Sequence, residues 1–135
     1  MENLDLELKS NGGISKKLYW APRVLSILFI LFLTMFSFDV FEPGLKWWEM
    51  AIGFLMHNIP VLVLTIALVI SWRREIVGAV VFFVAGLLYI ALILTNKHFE
   101  MVMLTWILFI SGPAFIVAVL FLINWNKKRV LLKDV

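Results

Sequence analysis

The sequence predicts an all-α integral membrane protein, a bundle of four transmembrane helices with both termini in the cytoplasm. Three observations carry that expectation. Apolar residues make up 63% of the chain and charged residues 16%, against about 45–50% and ~25% in soluble domains. The apolar residues fall into four runs, about 19–41, 49–72, 76–96 and 102–125. Each is long enough for a hydrocarbon core of about 30 Å at ~1.5 Å per residue. Basic residues cluster on alternate sides of those runs, and no segment alternates with the period of two that a membrane strand requires.

Residues 1–18 are polar, carry both signs of charge and contain the helix-breaking Asn11-Gly12-Gly13, so they read as a cytoplasmic tail. Leu4, Leu6 and Leu8 alternate with acidic residues there. The run that follows is long and has no small-residue cleavage site, which points to a retained first span and not to a signal peptide. Tyr19 and Trp20 suit the membrane interface, Pro22 suits a first helical turn, and Arg23 can snorkel towards headgroups. Phe41-Glu42-Pro43-Gly44 is a turn, and Trp47-Trp48 form the next aromatic belt. Arg73-Arg74-Glu75 makes a tight turn between spans two and three, and Lys97-His98-Phe99-Glu100 joins spans three and four. Residues 127–135 form a basic tail.

Most basic residues flank one membrane face: Lys9, Lys16, Lys17 and Arg23, then Arg73 and Arg74, then Lys127, Lys128, Arg129 and Lys133. Only Lys46 and Lys97 fall on the other. The positive-inside rule therefore places both termini in the cytoplasm of a cell membrane, as an even number of spans requires. Pro60 to Trp72 and Pro113 to Trp125 share one spacing, each followed by a basic pair. Either the chain is a duplicated hairpin or two helices have met the same demands independently.

Cysteine is absent, which excludes disulfides, thiolate metal sites and cysteine nucleophiles. The charge is dispersed over tails and a loop, which speaks against a nucleic-acid partner. No phosphate-binding glycine loop, metalloprotease helix or paired intramembrane aspartate is present. No metal site, cofactor or catalytic residue is expected, and the chain reads as a non-enzyme.

Met56-His57-Asn58-Ile59-Pro60 is the sharpest functional signal, because an imidazole, an amide and a proline at mid-membrane depth all need compensation. One stripe of span two holds Glu49, Gly53, His57, Pro60, Leu64, Ala67 and Ser71. Similar stripes of small or weakly polar residues run through Arg23, Ser26, Ile30, Thr34 and Ser37, through Gly78, Ala85, Tyr89 and Asn96, and through Ser111, Ala114 and Ala118. Such stripes serve as packing seams or line a cavity. Candidate binding or proton-relay residues are His57, Asn58, Glu49, Asp39 and Tyr89. Neutral His57 serves equally as a hydrogen-bonded packing element, and His98 lies at another depth, which disfavours a bis-histidine haem. Pro60 and Pro113 with Gly112 are candidate hinges. The prolines orphan the carbonyls of Met56 and Phe109, with Asn58 and Ser111 as candidate local donors. Arg73, Arg74, Lys127, Lys128 and Arg129 are candidate contacts for anionic lipid headgroups.

Trp20-Ala21-Pro22-Arg23, Asp39-Val40-Phe41, His57 to Pro60, Trp72-Arg73 with Gly78, Gly112-Pro113, and Trp125 with its basic neighbours together resemble a family of small, uncharacterised four-span bacterial membrane proteins. The resemblance covers about Trp20 to Arg129. It implies the four-span topology and a prokaryotic cell membrane, and it brings no activity with it. The leading functional expectation is a non-enzymatic accessory, assembly or self-associating protein whose partners are the bilayer and either further copies of the chain or another membrane protein. A homo-oligomeric transporter or channel using His57 and the proline kinks is the first alternative. A binding protein or enzyme for a lipid-like ligand in an outward cavity is the second.

Overall fold

The computed structural model describes residues 14–98 and 100–133. The segment before residue 14, including the alternating leucines and the Asn11-Gly12-Gly13 break, lies outside the described residues. Four long helices are present: α1 (Lys16–Met35), α2 (Trp47–Ser71), α3 (Glu75–Leu94) and α4 (Val102–Lys133). All four are long and apolar enough to cross a membrane, and no strand occurs among the described residues. The protein is a small multi-pass membrane protein.

Each helix starts and stops for a local reason. Ser15 caps α1 by accepting a hydrogen bond from the Leu18 N–H at 3.2 Å. A short 3₁₀ turn, Phe36–Val40, ends that helix. Gly44 then adopts a φ of +109°, a conformation that excludes other residues in practice. The Glu49 carboxylate accepts from the Lys46 N–H at 3.0 Å and so closes the start of α2. Trp72 to Arg74 turn the chain directly into α3. α4 has 32 residues, about 48 Å at the standard rise, and Lys127, Lys128 and Arg129 all lie on it.

The helices form a ring. α1 packs on α2 and α4, and α3 packs on the same two, whereas the backbones of neither diagonal pair approach each other. The α3–α4 seam is the most extensive. It is close because α3 has glycines where α4 has phenylalanines. A Cβ on Gly78 would meet the Phe121 ring at 2.8 Å, and one on Gly86 would meet Phe115 at 2.8 Å. Phe29, Phe82 and Phe121 stack between the helices with ring centroids 6.4 and 6.2 Å apart. They join Leu64, Leu68, Ala79, Ala114, Val117 and Ala118 in the core. Large apolar residues such as Leu28, Leu31, Leu62, Ile66, Leu88 and Leu108 cover the outside, as a lipid solvent requires.

Pro22 lies inside α1, not in its first turn, because the helix begins as early as Lys16. The proline therefore leaves the Leu18 carbonyl without its helical donor. Asn124 of α4 supplies the replacement, its side-chain amide donating to Leu18 O at 2.9 Å. The two other proline-orphaned carbonyls are not served as the sequence suggested. Asn58 donates to Phe54 O at 2.8 Å and Ser111 reaches across to Gly86 O of α3 at 3.0 Å. A helix-internal amide finds the carbonyl four residues back most easily, and Ser111 faces the close α3–α4 seam.

Candidate functional site

The half of the bundle nearest the α1–α2 and α3–α4 connections is not filled. A cavity of about 580 Å³ lies there, lined by all four helices. Its walls are apolar. Phe29, Leu33 and Phe36 come from α1 and its 3₁₀ turn, Val61 and Leu64 from α2, Ala85 and Ile93 from α3, and Trp106, Ile110 and Ala114 from α4. Ala85 and Ala114, one from each of α3 and α4, line it with small side chains beyond the phenylalanine core.

Three polar side chains line it: Asp39, His57 and Tyr89. Asp39 arrives on the 3₁₀ turn, which carries the chain past the end of α1 and over the cavity. The His57 Nδ1 lies 3.2 Å from the Gly53 carbonyl. A carbonyl only accepts, so that hydrogen bond assigns a hydrogen to Nδ1 and leaves Nε2 free of the helix backbone. The Tyr89 hydroxyl makes no hydrogen bond within the described residues. Pro60 lines the wall one turn beyond His57. The rim residues Asp39, His57, Pro60, Val102 and Trp106 are exposed.

The structure thus brings together Asp39, His57, Tyr89 and Pro60. Asn58 is turned to its own helix, and Glu49 is occupied in capping α2. Gly112 and Pro113 lie on α4 outside the cavity lining. No cluster of three or more metal-ligating side chains occurs among the described residues.

At the other end of the bundle the structure holds a feature that sequence reasoning missed. Arg23 does not reach for headgroups. It is completely buried, and its guanidinium lies 3.3 Å from the Glu75 carboxylate, itself 2% exposed. Arg23 also donates to the Tyr19 carbonyl and sits 3.6 Å from the centroid of the Tyr19 ring. Lys128 approaches the same carboxylate oxygen of Glu75 at 3.8 Å. The pair spans the α1–α3 diagonal, where the backbones are too far apart to touch, and with Phe82 and Phe121 it closes the interior at the end near the termini. The available signal was a carboxylate opening span three at the membrane level of an arginine in span one.

Arg73, Arg74, Lys128 and Arg129 meet around a separate recess of about 360 Å³, together with Glu75, Ile76, Trp125 and Leu132. Lys127, exposed on α4, is not among its walls.

No curated protein and no solved structure matches the chain. A family model described as a domain of unknown function (DUF7670) matches residues 11–133, the whole helical bundle and its connections. The chain belongs to that family of uncharacterised domains.

Proposed function

We propose that the protein binds a lipid-like amphiphile in the four-helix cavity, with the polar end of the ligand at Asp39, His57 and Tyr89 and its apolar body against Phe29, Leu64, Ile110 and Ala114. The observation that carries this reading is the cavity itself. Its volume of about 580 Å³ lies within the roughly 300–1,000 Å³ of small-molecule sites, which are mostly apolar with a few placed polar groups. Asp39 and the Nε2 of a neutral His57 are acceptors, so the head of the ligand carries hydrogen-bond donors, a hydroxyl or an amine. The exposed rim at His57 and Pro60 gives access from the bilayer.

Self-association through small-residue seams has less support. Gly78, Gly86, Ser111, Ala114 and Ala118 are all buried within the single bundle, so these positions are spent on its own packing. Carriage of the ligand across the membrane is a second reading, favoured by the closure of the interior at one end by Arg23, Glu75, Phe82 and Phe121. One open and one closed end is a state that alternating access requires. The distribution of basic residues supports both termini in the cytoplasm, and the sequence resemblance supports a prokaryotic cell membrane. Reporter fusions at Lys133 and in the 42–46 turn test that orientation and are expected to report the cytoplasm and the outer side respectively.

The binding reading is tested by photolabelling with a long-chain alcohol or amine bearing a diazirine on its tail. Labelled peptides are expected to map to cavity walls such as Trp106–Ala114, with labelling competed by the unmodified amphiphile. Uniform labelling of the lipid-facing surface, without competition, overturns it.

A further inference from the structure

We propose that the recess between the α2–α3 turn and the end of α4 is a binding site for the phosphate headgroup of an anionic phospholipid, distinct from the cavity at the other end of the bundle. Two sequence segments that are far apart supply its cations. Arg73 and Arg74 come from the turn, and Lys128 and Arg129 come from the last turns of α4. Four cations face one carboxylate, Glu75, and that carboxylate is already held by the buried Arg23. Arg73 and Arg74 are exposed and make no ion pair among the described residues. The recess is therefore strongly electropositive.

It is also prearranged. The Arg129 guanidinium lies 5.2 Å from the centroid of the Trp125 ring, a cation–π distance that restrains it. Lys128 leans towards Glu75 at 3.8 Å. Ile76 lies beside them, and the recess adjoins the start of α3, the end of a helix that favours an anion. Guanidinium pairs suit phosphate because each presents two parallel donors to two oxygens.

The depth of the site selects a membrane lipid over a free anion. Trp20, Trp72 and Trp125 lie at this end of the bundle, and tryptophans mark the headgroup level. Ile76 and Leu132 form an apolar flank beside the cations, which suits the glycerol and upper chain of a lipid. α4 carries its basic residues beyond the hydrocarbon because it is about 48 Å long. The resulting site is a structural address for one anionic lipid per chain, and it couples to the fold through Glu75.

The test is native mass spectrometry of the detergent-purified full chain, titrated with phosphatidylglycerol and with phosphatidylcholine. The wild type is expected to retain one phosphatidylglycerol with at least tenfold preference over phosphatidylcholine. The triple variant Arg73→Gln/Arg74→Gln/Arg129→Gln, which leaves Lys128 and the Arg23–Glu75 pair in place, is expected to lose that preference. The control Lys127→Gln/Lys133→Gln, which removes charge outside the recess, is expected to stay within twofold of wild type. Circular dichroism establishes that each variant is folded. Equal losses in the recess variant and the control, or no loss in either, overturn the proposal. Displacement of the bound lipid by millimolar inorganic phosphate also overturns it, since the site is then one for a free anion.

Discussion

Arg23 shows how strongly a single residue depends on its surroundings. In the sequence it is a basic residue near the start of a span, and the usual reading is a side chain that bends back to water. In the structure it lies wholly inside the bundle and is held by Glu75 and by the ring and carbonyl of Tyr19. Breaking a buried pair by removing one partner costs about 3–5 kcal/mol, whereas replacing both by apolar residues is often neutral. Arg23→Leu is therefore expected to lower stability by about that amount, and Arg23→Leu/Glu75→Leu is expected to recover most of it. Recovery is all the more expected because Arg23 Nε has no hydrogen-bond partner among the described residues. Denaturant unfolding in detergent micelles, followed by circular dichroism, measures both. An unstable double variant would mean that the charges contribute more to the fold than their replacement can supply. Glu75 was not legible as the partner because its contact is across a diagonal, 52 residues away in sequence. Periodicity within one helix carries no information about such a contact.

At the scale of the element, helix existence was legible because lipid imposes long apolar runs, and the four helices follow from that constraint. The details at proline were not. Pro22, Pro60 and Pro113 each free a carbonyl, but which side chain answers it depends on neighbouring helices. For Pro22 the freed carbonyl is that of Leu18, and the answer is Asn124, 106 residues from Leu18. Asn124→Ala is expected to destabilise by about 1–3 kcal/mol, the usual cost of leaving a buried acceptor unsatisfied. In a Pro22→Ala background the loss is expected to shrink, because the restored backbone N–H of residue 22 can serve Leu18 O itself. A double-mutant cycle on thermal unfolding reads this coupling, and strict additivity would contradict the assignment. The α3–α4 seam makes a second prediction. A Cβ at Gly78 would lie 2.8 Å from both the Phe121 ring and Ser71 Cβ. Gly78→Ala is expected to cost about 1–3 kcal/mol by overpacking, and Gly112→Ala, where nothing lies within 4 Å, much less. Comparing their unfolding midpoints separates close packing from helix propensity.

At the scale of the whole molecule, the small-residue stripes left two readings open in the sequence, a packed seam or a lined cavity, and the structure contains both. Near the termini the stripes close on Phe82, Phe121 and the Arg23–Glu75 pair. Towards the connecting loops they separate around empty space. Asp39, His57 and Tyr89 were individually legible as polar residues in an apolar setting. That they line one cavity was not, since Asp39 reaches it on the 3₁₀ turn that follows α1. Asn58 and Glu49 were equally polar in sequence, yet local backbone groups satisfy them first.

The proposed occupant of this cavity is an amphiphile. The most direct measurement is native mass spectrometry of the protein extracted from its own membrane, with identification of whatever remains bound. The wild type is expected to carry one small amphiphile with a hydroxyl or amine head. Ala85→Phe, which fills the apolar wall while keeping its chemistry, is expected to lose it, and His57→Ala is expected to retain at least about tenfold less, the equivalent of one hydrogen bond of ~1.4 kcal/mol. An empty wild-type protein, or an Ala85→Phe variant loaded as fully as the wild type, would contradict the account.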